Sequence, residues 1–188
     1  MARAPDSLAT ARLELVRWRV EDAEELRAAL DASDAHLRPW IPFMKDEPRT
    51  LAATREWLLQ HSAFFDAGEH FRYAVRARSS NTLVGEVMLL TRGAPGTLEL
   101  GYWLHALHTG HAYTREAAAA LLPIAFDTLG AARVACVCDE RNAPSIAVAR
   151  GLGAVLNDVR EVTERDTLLR LATYMLPQDV WRLSRTGG

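Results

Sequence analysis

Apolar and polar residues alternate along Arg12-Leu13-Glu14-Leu15-Val16-Arg17-Trp18, the period of a strand with one buried face. Glu21, Asp22, Glu24 and Glu25 then gather ahead of an apolar pattern that runs through Leu30. Acids in that place suit the electropositive start of a helix. The pattern breaks at His36-Leu37-Arg38-Pro39-Trp40-Ile41-Pro42-Phe43, where two prolines beside Trp40 and Phe43 predict an ordered apolar loop. A second helix is predicted over 51–65, with Trp57, Leu58, Phe64 and Phe65 as its apolar residues. Three strands follow, over 71–76, 83–90 and 97–105, divided by Asn81-Thr82 and by Gly93-Ala94-Pro95-Gly96, the pattern of an antiparallel meander. The next helix, over 115–129, contains Pro123, which removes the bond to Ala119 and predicts a kink. A strand over 133–138, a short helix over 144–152 led by Asn142 and ended by Gly153, and strands over 155–162 and 168–176 complete the chain.

No repeat, low-complexity tract or internal linker interrupts this order. The expectation is a single mixed α/β (α+β) domain whose core spans about residues 10–181. It has a mostly antiparallel sheet of about seven strands flanked by helices, in the order β-α-α-β-β-β-α-β-α-β-β. Length agrees, since 188 residues build one well-packed core and are short for two. A net charge of −2 leaves no electrostatic footprint for nucleic acid. No run of about 18 apolar residues offers a membrane span. Met1-Ala2-Arg3-Ala4-Pro5-Asp6-Ser7 lacks the apolar centre of a secretory signal. Cys136 and Cys138, one residue apart on one strand face, fit neither a disulfide framework nor a zinc knuckle and read as small buried hydrophobes. A cytoplasmic protein is expected. His105, His108 and His111 recur every third residue, but a turn between strand and helix splays them, so no metal site is expected.

The candidate chemistry concentrates in Leu104-His105-Ala106-Leu107-His108-Thr109-Gly110-His111-Ala112-Tyr113-Thr114-Arg115-Glu116-Ala117. A strand enters a tight polar turn and leaves as an alanine-rich helix. The first turn of a helix carries N–H groups with no intrahelical partner at the positive end of the macrodipole, which suits a phosphate. Without context the same segment is a strand-to-helix turn with Thr114 as N-cap. On the preceding strand, alternation places Leu98, Leu100, Tyr102 and Leu104 on one face and Glu99, Gly101, Trp103 and His105 on the other. Glu86 lies likewise in Gly85-Glu86-Val87 on the neighbouring strand. A carboxylate there could accept a proton directly or through water. Glu99 is preferred to Glu86, with His105 a third candidate.

Four stretches in this order resemble the GNAT superfamily of acetyl-CoA-dependent N-acetyltransferases, and within it the branch of the RimJ/RimL ribosomal-protein N-terminal acetyltransferases. They are Thr10-Ala11-Arg12-Leu13 with Leu15 and Glu21-Asp22-Ala23; Leu37-Arg38-Pro39-Trp40-Ile41-Pro42; Leu98 to Leu104 followed by Gly110 to Ala117; and Asn142-Ala143-Pro144-Ser145 leading to Gly151-Leu152-Gly153. The resemblance implies acetyl-CoA as co-substrate. Its pyrophosphate would lie on the amides of Thr109, Gly110, His111, Ala112, Tyr113 and Thr114, with His111 and Arg115 supplying positive charge. Its pantetheine arm would lie along the strand amides of Trp103 and Leu104 and be bonded by Asn142. Ser145 is implied as proton donor to the departing thiolate, with Tyr174 a looser candidate. The sequence departs from the family pattern at Ala112, Thr114, Ala149 and Ala154. The implied acceptor is a primary amine, first a protein N-terminus and second a small amine of the antibiotic type, attacking the thioester directly. A GNAT-fold binding module that has lost catalysis is the competing reading. Dimers are common in the resembled branch, so a homodimer is possible. An α-amine with pKa near 8 is roughly one-tenth neutral at pH 7, so a weak or water-relayed base suffices for it.

Overall fold

The computed structural model describes residues 3–164 and 167–186. Eight strands form one sheet in the order β1-β2-β3-β4-β5-β6-β8-β7. In chain order the elements are β1 (Ser7–Ala9), β2 (Leu13–Arg17), α1 (Ala23–Ala32), α2 (Asp34–Leu37), α3 (Leu51–Ala67), β3 (His70–Ala77), β4 (Leu83–Leu90) and β5 (Thr97–Leu104). There follow α4 (Tyr113–Pro123), β6 (Arg133–Asp139), α5 (Ala143–Gly151), β7 (Val155–Glu164), β8 (Thr167–Pro177) and α6 (Gln178–Thr186). Neighbouring strands are antiparallel except β5 and β6.

Helices cover both faces. On one, Leu26 and Leu30 of α1 and Leu58 of α3 pack with Trp18, Ala74, Met88, Leu90 and Trp103. On the other, Ala117, Leu121 and Leu122 of α4, Ala149 of α5 and Trp181 of α6 pack against Val87, Leu89, Leu100, Val134, Cys136 and Tyr174. Covering both faces buries β4 at every position, which is why its sequence is a continuous apolar run broken only by Gly85 and Glu86.

The domain has one strand and two helices more than its pattern disclosed, β1, the single-turn α2 and α6. β1 pairs with β2 over three residues, too few to show a period. α6 follows Pro177 and is held by Trp181, which is buried against Phe126 at a ring separation of 4.8 Å. Pro123 produces no simple kink. The helix widens there into a π segment over Ile124–Thr128, in which the Leu129 N–H bonds Ile124 O at 2.9 Å. One extra residue per turn absorbs the donor that proline lacks. The proline-rich loop is ordered, as expected. It forms a 3-10 turn over Pro42–Asp46 with Met44 fully buried, and Arg38 donates to Met44 O at 2.7 Å.

Candidate active site

β5 and β6 pair only at Thr97/Arg133, Leu98/Val134 and Glu99/Ala135. β5 stays paired with β4 out to Leu104, so beyond Glu99 the sheet opens into a wedge between β5 and β6. The His105 N–H bonds Val84 O at 2.9 Å. Main-chain groups alternate sides along an antiparallel strand. Glu99, Gly101 and Trp103 therefore turn theirs to β4, while Leu100, Tyr102 and Leu104 present theirs to the wedge. Of the two strand amides expected to meet the pantetheine, Leu104 faces the open side and Trp103 does not. Tyr102 takes that place.

α5 closes the wide end of the wedge. Asn142 caps it, its Oδ1 accepting the Ser145 N–H at 3.2 Å, with Pro144 in the first turn. The Tyr102 hydroxyl donates to Ser145 O at 3.0 Å and lies 3.1 Å from Ser145 Oγ. Burial raises the Tyr102 pKa well above that of a free phenol, so it remains a donor. The Cys138 thiol also bonds Ser145, and burial outweighs that bond and raises its pKa. Burial pushes the Cys136 thiol up to about 12. Neither sulfur is a nucleophile at neutral pH. Tyr102 was not among the sequence candidates. The signal was a phenol on the apolar face of β5, where a buried hydroxyl must find a partner.

Leu104 leads from the wedge into the turn before α4. Thr109 spends its hydroxyl on Ala106 O at 3.3 Å. Gly110 and Ala112 both adopt left-handed backbone, with φ of +80° and +59°. Ala112 is the residue preceding the helix and offers no side-chain cap; Thr114 is the second helical residue rather than the cap. The first ladder bond runs from the Glu116 N–H to Ala112 O at 3.1 Å. The N–H groups of Tyr113, Thr114 and Arg115 thus have no intrahelical partner and point out of the positive end of α4. His111 stacks on Tyr113, the ring planes 16° apart, and its Nδ1 lies 2.8 Å from Thr109 O. The stem of Arg115 lies over Gly151, where a Cβ would come within 2.9 Å of Arg115 Cδ. The acid in this first turn is neutralised elsewhere. Glu116 accepts from the Thr10 hydroxyl, from the Arg12 N–H at 3.0 Å and from Arg12 Nε at 2.7 Å. Burial pushes the Glu116 pKa up, but these bonds outweigh it and hold the carboxyl below its ordinary range.

The proposed bases do not sit at the mouth of the wedge. Glu99 lies at its closed end, roughly 17 Å of strand from Leu104, and makes a two-pronged ion pair with Arg92. Glu86 is 2% exposed, and its carboxylate accepts from Trp18 Nε1 at 2.9 Å, Arg72 Nε at 2.8 Å, Arg72 Nη2 at 3.0 Å and Trp103 Nε1 at 2.7 Å. Four donors leave it no lone pair suited to a substrate proton. His105 accepts the Leu107 N–H on Nδ1 at 3.2 Å, which directs its proton to Nε2 and removes it as a base. Glu86 and Trp103 also line a cavity of about 10 Å³, room for one water, with Leu30, Phe43, Thr54 and Trp57. Glu47, also lining it, accepts from Arg27 and from the Arg49 N–H.

A family model described as acetyltransferase (GNAT) domain matches residues 12–155. No curated protein matches the sequence. Among solved structures, the chain is similar to RimL, a ribosomal-protein alpha-N-acetyltransferase in complex with coenzyme A, at 18% identity and a TM-score of 0.82, covering 92% of this chain and 98% of that one. It is also similar to a ribosomal-protein-alanine acetyltransferase from Vibrio fischeri (18% identity, TM-score 0.80, 93% and 98% covered). A third is the microcin C7 self-immunity acetyltransferase MccE in complex with acetyl-CoA and AMP (17% identity, TM-score 0.82, 94% and 98% covered). At these identities the structural likeness speaks for the fold, while the family model covers most of the chain. The chain belongs to the GNAT family and is an acetyl-CoA-dependent N-acetyltransferase.

Proposed function

We propose that the protein acetylates a primary α-amine at a protein N-terminus, by direct attack on the acetyl-CoA thioester held in the wedge. The observation that carries this reading is one continuous path. It runs from the unpaired edge of β5 at Leu100, Tyr102 and Leu104 to the exposed amides of Tyr113, Thr114 and Arg115. The pantetheine would bond the strand edge as a further strand does, and the pyrophosphate would sit on the helix start beside Gly110, His111 and Ala112. Tetrahedral collapse releases a thiolate inside the wedge beside Tyr102, and Ser145 supplies its proton there. Tyr102 positions the Ser145 hydroxyl. No carboxylate is assigned as base, since four donors occupy Glu86 and Glu99 is paired with Arg92. The amine enters neutral or loses its proton to water, which an α-amine does far more readily than a lysine.

The acceptor side supports a small uncharged N-terminal residue. Glu86 and Glu47 are both neutralised by arginines, so the one-water cavity beside Trp103 offers no free charge to a polycationic amine. A small-molecule amine is the second reading, favoured by the likeness to MccE. Calorimetric titration with acetyl-CoA followed by thiol release on a panel of peptides and amines decides between them. Micromolar acetyl-CoA binding and turnover with Ser- or Ala-starting peptides is the expected result. Binding without turnover on any amine would establish the competing binding module. With a peptide acceptor, kcat/KM should rise with pH and level near pH 8, the pKa of the amine, whereas a plateau below pH 7 would reveal a base in the protein. Ser145→Ala should lower kcat about 100-fold with acetyl-CoA affinity retained, and Tyr102→Phe should lower kcat by a smaller factor without changing KM.

A further inference from the structure

Glu116 stands in the first turn of α4, one residue beyond the three N–H groups that face the proposed pyrophosphate site. An ionised carboxylate there competes with a phosphate for the positive end of the helix and repels it. Glu116 is drawn instead onto the turn between β1 and β2. Its Oε2 accepts from Arg12 Nε at 2.7 Å and Nη2 at 2.6 Å, and its Oε1 from the Arg12 N–H at 3.0 Å and from the Thr10 hydroxyl. That turn is itself fixed. Thr10 Oγ1 accepts the Leu13 N–H at 2.9 Å, Arg78 Nη1 donates to Thr10 O at 2.9 Å, and the Arg78 N–H bonds Arg12 O at 2.9 Å. The Arg12 guanidinium also lies over the Tyr113 ring, 4.8 Å from its centroid, and His111 stacks on the same ring.

We infer that Arg12 is a positioning residue for the coenzyme: it cancels the Glu116 charge beside the phosphates and braces Tyr113 and His111 in the turn. The inference rests on the reading that places the pyrophosphate at the start of α4. Two features favour it over an ion pair that serves stability alone. The Arg12 side chain is 49% exposed, and a pair so solvated adds little to stability. Ala112 provides no side-chain cap, so the turn is held from outside itself, by the residue that leads into β2. A charge left without its partner acts through space on a neighbouring anion, whatever the pair contributes to folding. Removing Arg12 leaves one uncompensated negative charge beside the phosphates, and neutralising Glu116 leaves one positive charge. The two substitutions disrupt the same link but act on an anionic ligand with opposite sign.

Calorimetric titration of the full chain tests this. The wild type should bind acetyl-CoA at least about 100-fold more tightly than S-acetylpantetheine, which carries no phosphate. Equal affinity for the two would overturn the pyrophosphate placement and the role of Arg12 with it. Arg12→Ala should weaken acetyl-CoA binding about tenfold. Glu116→Gln keeps an acceptor oxygen for Thr10 and should bind acetyl-CoA at least as tightly as the wild type. The double variant Arg12→Ala/Glu116→Gln should return to within about threefold of the wild type. A link that only holds the fold together predicts otherwise, namely weaker binding in both single variants and no recovery in the double. Given a wild type that prefers acetyl-CoA, either that pattern or an Arg12→Ala variant that binds acetyl-CoA normally would overturn the role of Arg12 and leave the pyrophosphate placement standing.

Discussion

Ala112 holds φ near +59° at the start of α4, a conformation in which its methyl group crowds the following carbonyl. The position asks for glycine, as Gly110 two residues earlier does, and the chain carries the strain in the turn proposed to hold the pyrophosphate. Ala112→Gly should therefore stabilise the protein by about 1 kcal/mol and tighten acetyl-CoA binding, read by thermal unfolding and calorimetry. No change in either would mean that the turn relaxes around the methyl. Glu86 is the opposite case, a buried carboxylate whose four donors come from β2–α1, β3 and β5. Glu86→Ala leaves the Arg72 guanidinium unpaired in the interior and should cost about 3–5 kcal/mol, measured by denaturant unfolding.

Among elements, α3 carries a pH dependence of its own. His61 stands between Trp57 and Phe64, with ring centroids 4.1 and 5.5 Å away, and its Nδ1 is buried without a partner. Burial, then the charge of Arg72, lowers its pKa to about 4, with Glu86 opposing and His70 and Arg49 adding to the fall. The folded state thus keeps His61 neutral while the unfolded chain protonates it near 6.5. Its contribution to stability is intact above pH 6.5 and is lost as pH falls toward 4. His61→Phe should flatten the melting temperature between pH 6.5 and 4, and a slope unchanged by the substitution would assign it elsewhere. α4 shows how an element absorbs a misfit. Pro123 reads as a kink in the sequence, yet the π segment after it keeps Phe126 in the core.

At the scale of the whole molecule, the site is made by contacts distant along the chain. Tyr102 meets Ser145 across the wedge, and Thr10 and Arg12 anchor Glu116 at the head of α4. Acid should dismantle the carboxylate links together. Hydrogen bonds from Arg17 to Asp66 and from Arg141 to Asp139 hold both carboxyls below their ordinary pKa, as the bonds at Glu116 do. Groups depressed on folding stabilise above their unfolded pKa and cease to as pH falls through the folded one. Unfolding should therefore steepen below about pH 4, after the gentler loss attributable to His61. Circular dichroism against pH reads both stages, and a single transition above pH 5 would contradict the assignment.

Local pattern alone determined much of this protein. Alternation marked seven of the strands, the acids and Asn142 marked helix starts, and four ordered stretches disclosed the family, because these signals reside in neighbours along the chain. β1, α2 and α6 were not legible, since three or four residues show no period and α6 is held by Trp181 inside a core built from distant segments. The turn proposed to bind phosphate was visible as a turn, but the left-handed backbone at Ala112 was not. The roles of the polar residues belonged to the tertiary structure. Glu86 and Glu99 look alike in sequence, each on a strand beside or near a glycine. Only folding brings four donors around one and Arg92 against the other, and only the parting of β5 from β6 sets Tyr102 beside Ser145. A carboxylate's chemistry depends on which groups solvate it, and in a buried site those groups come from the whole chain.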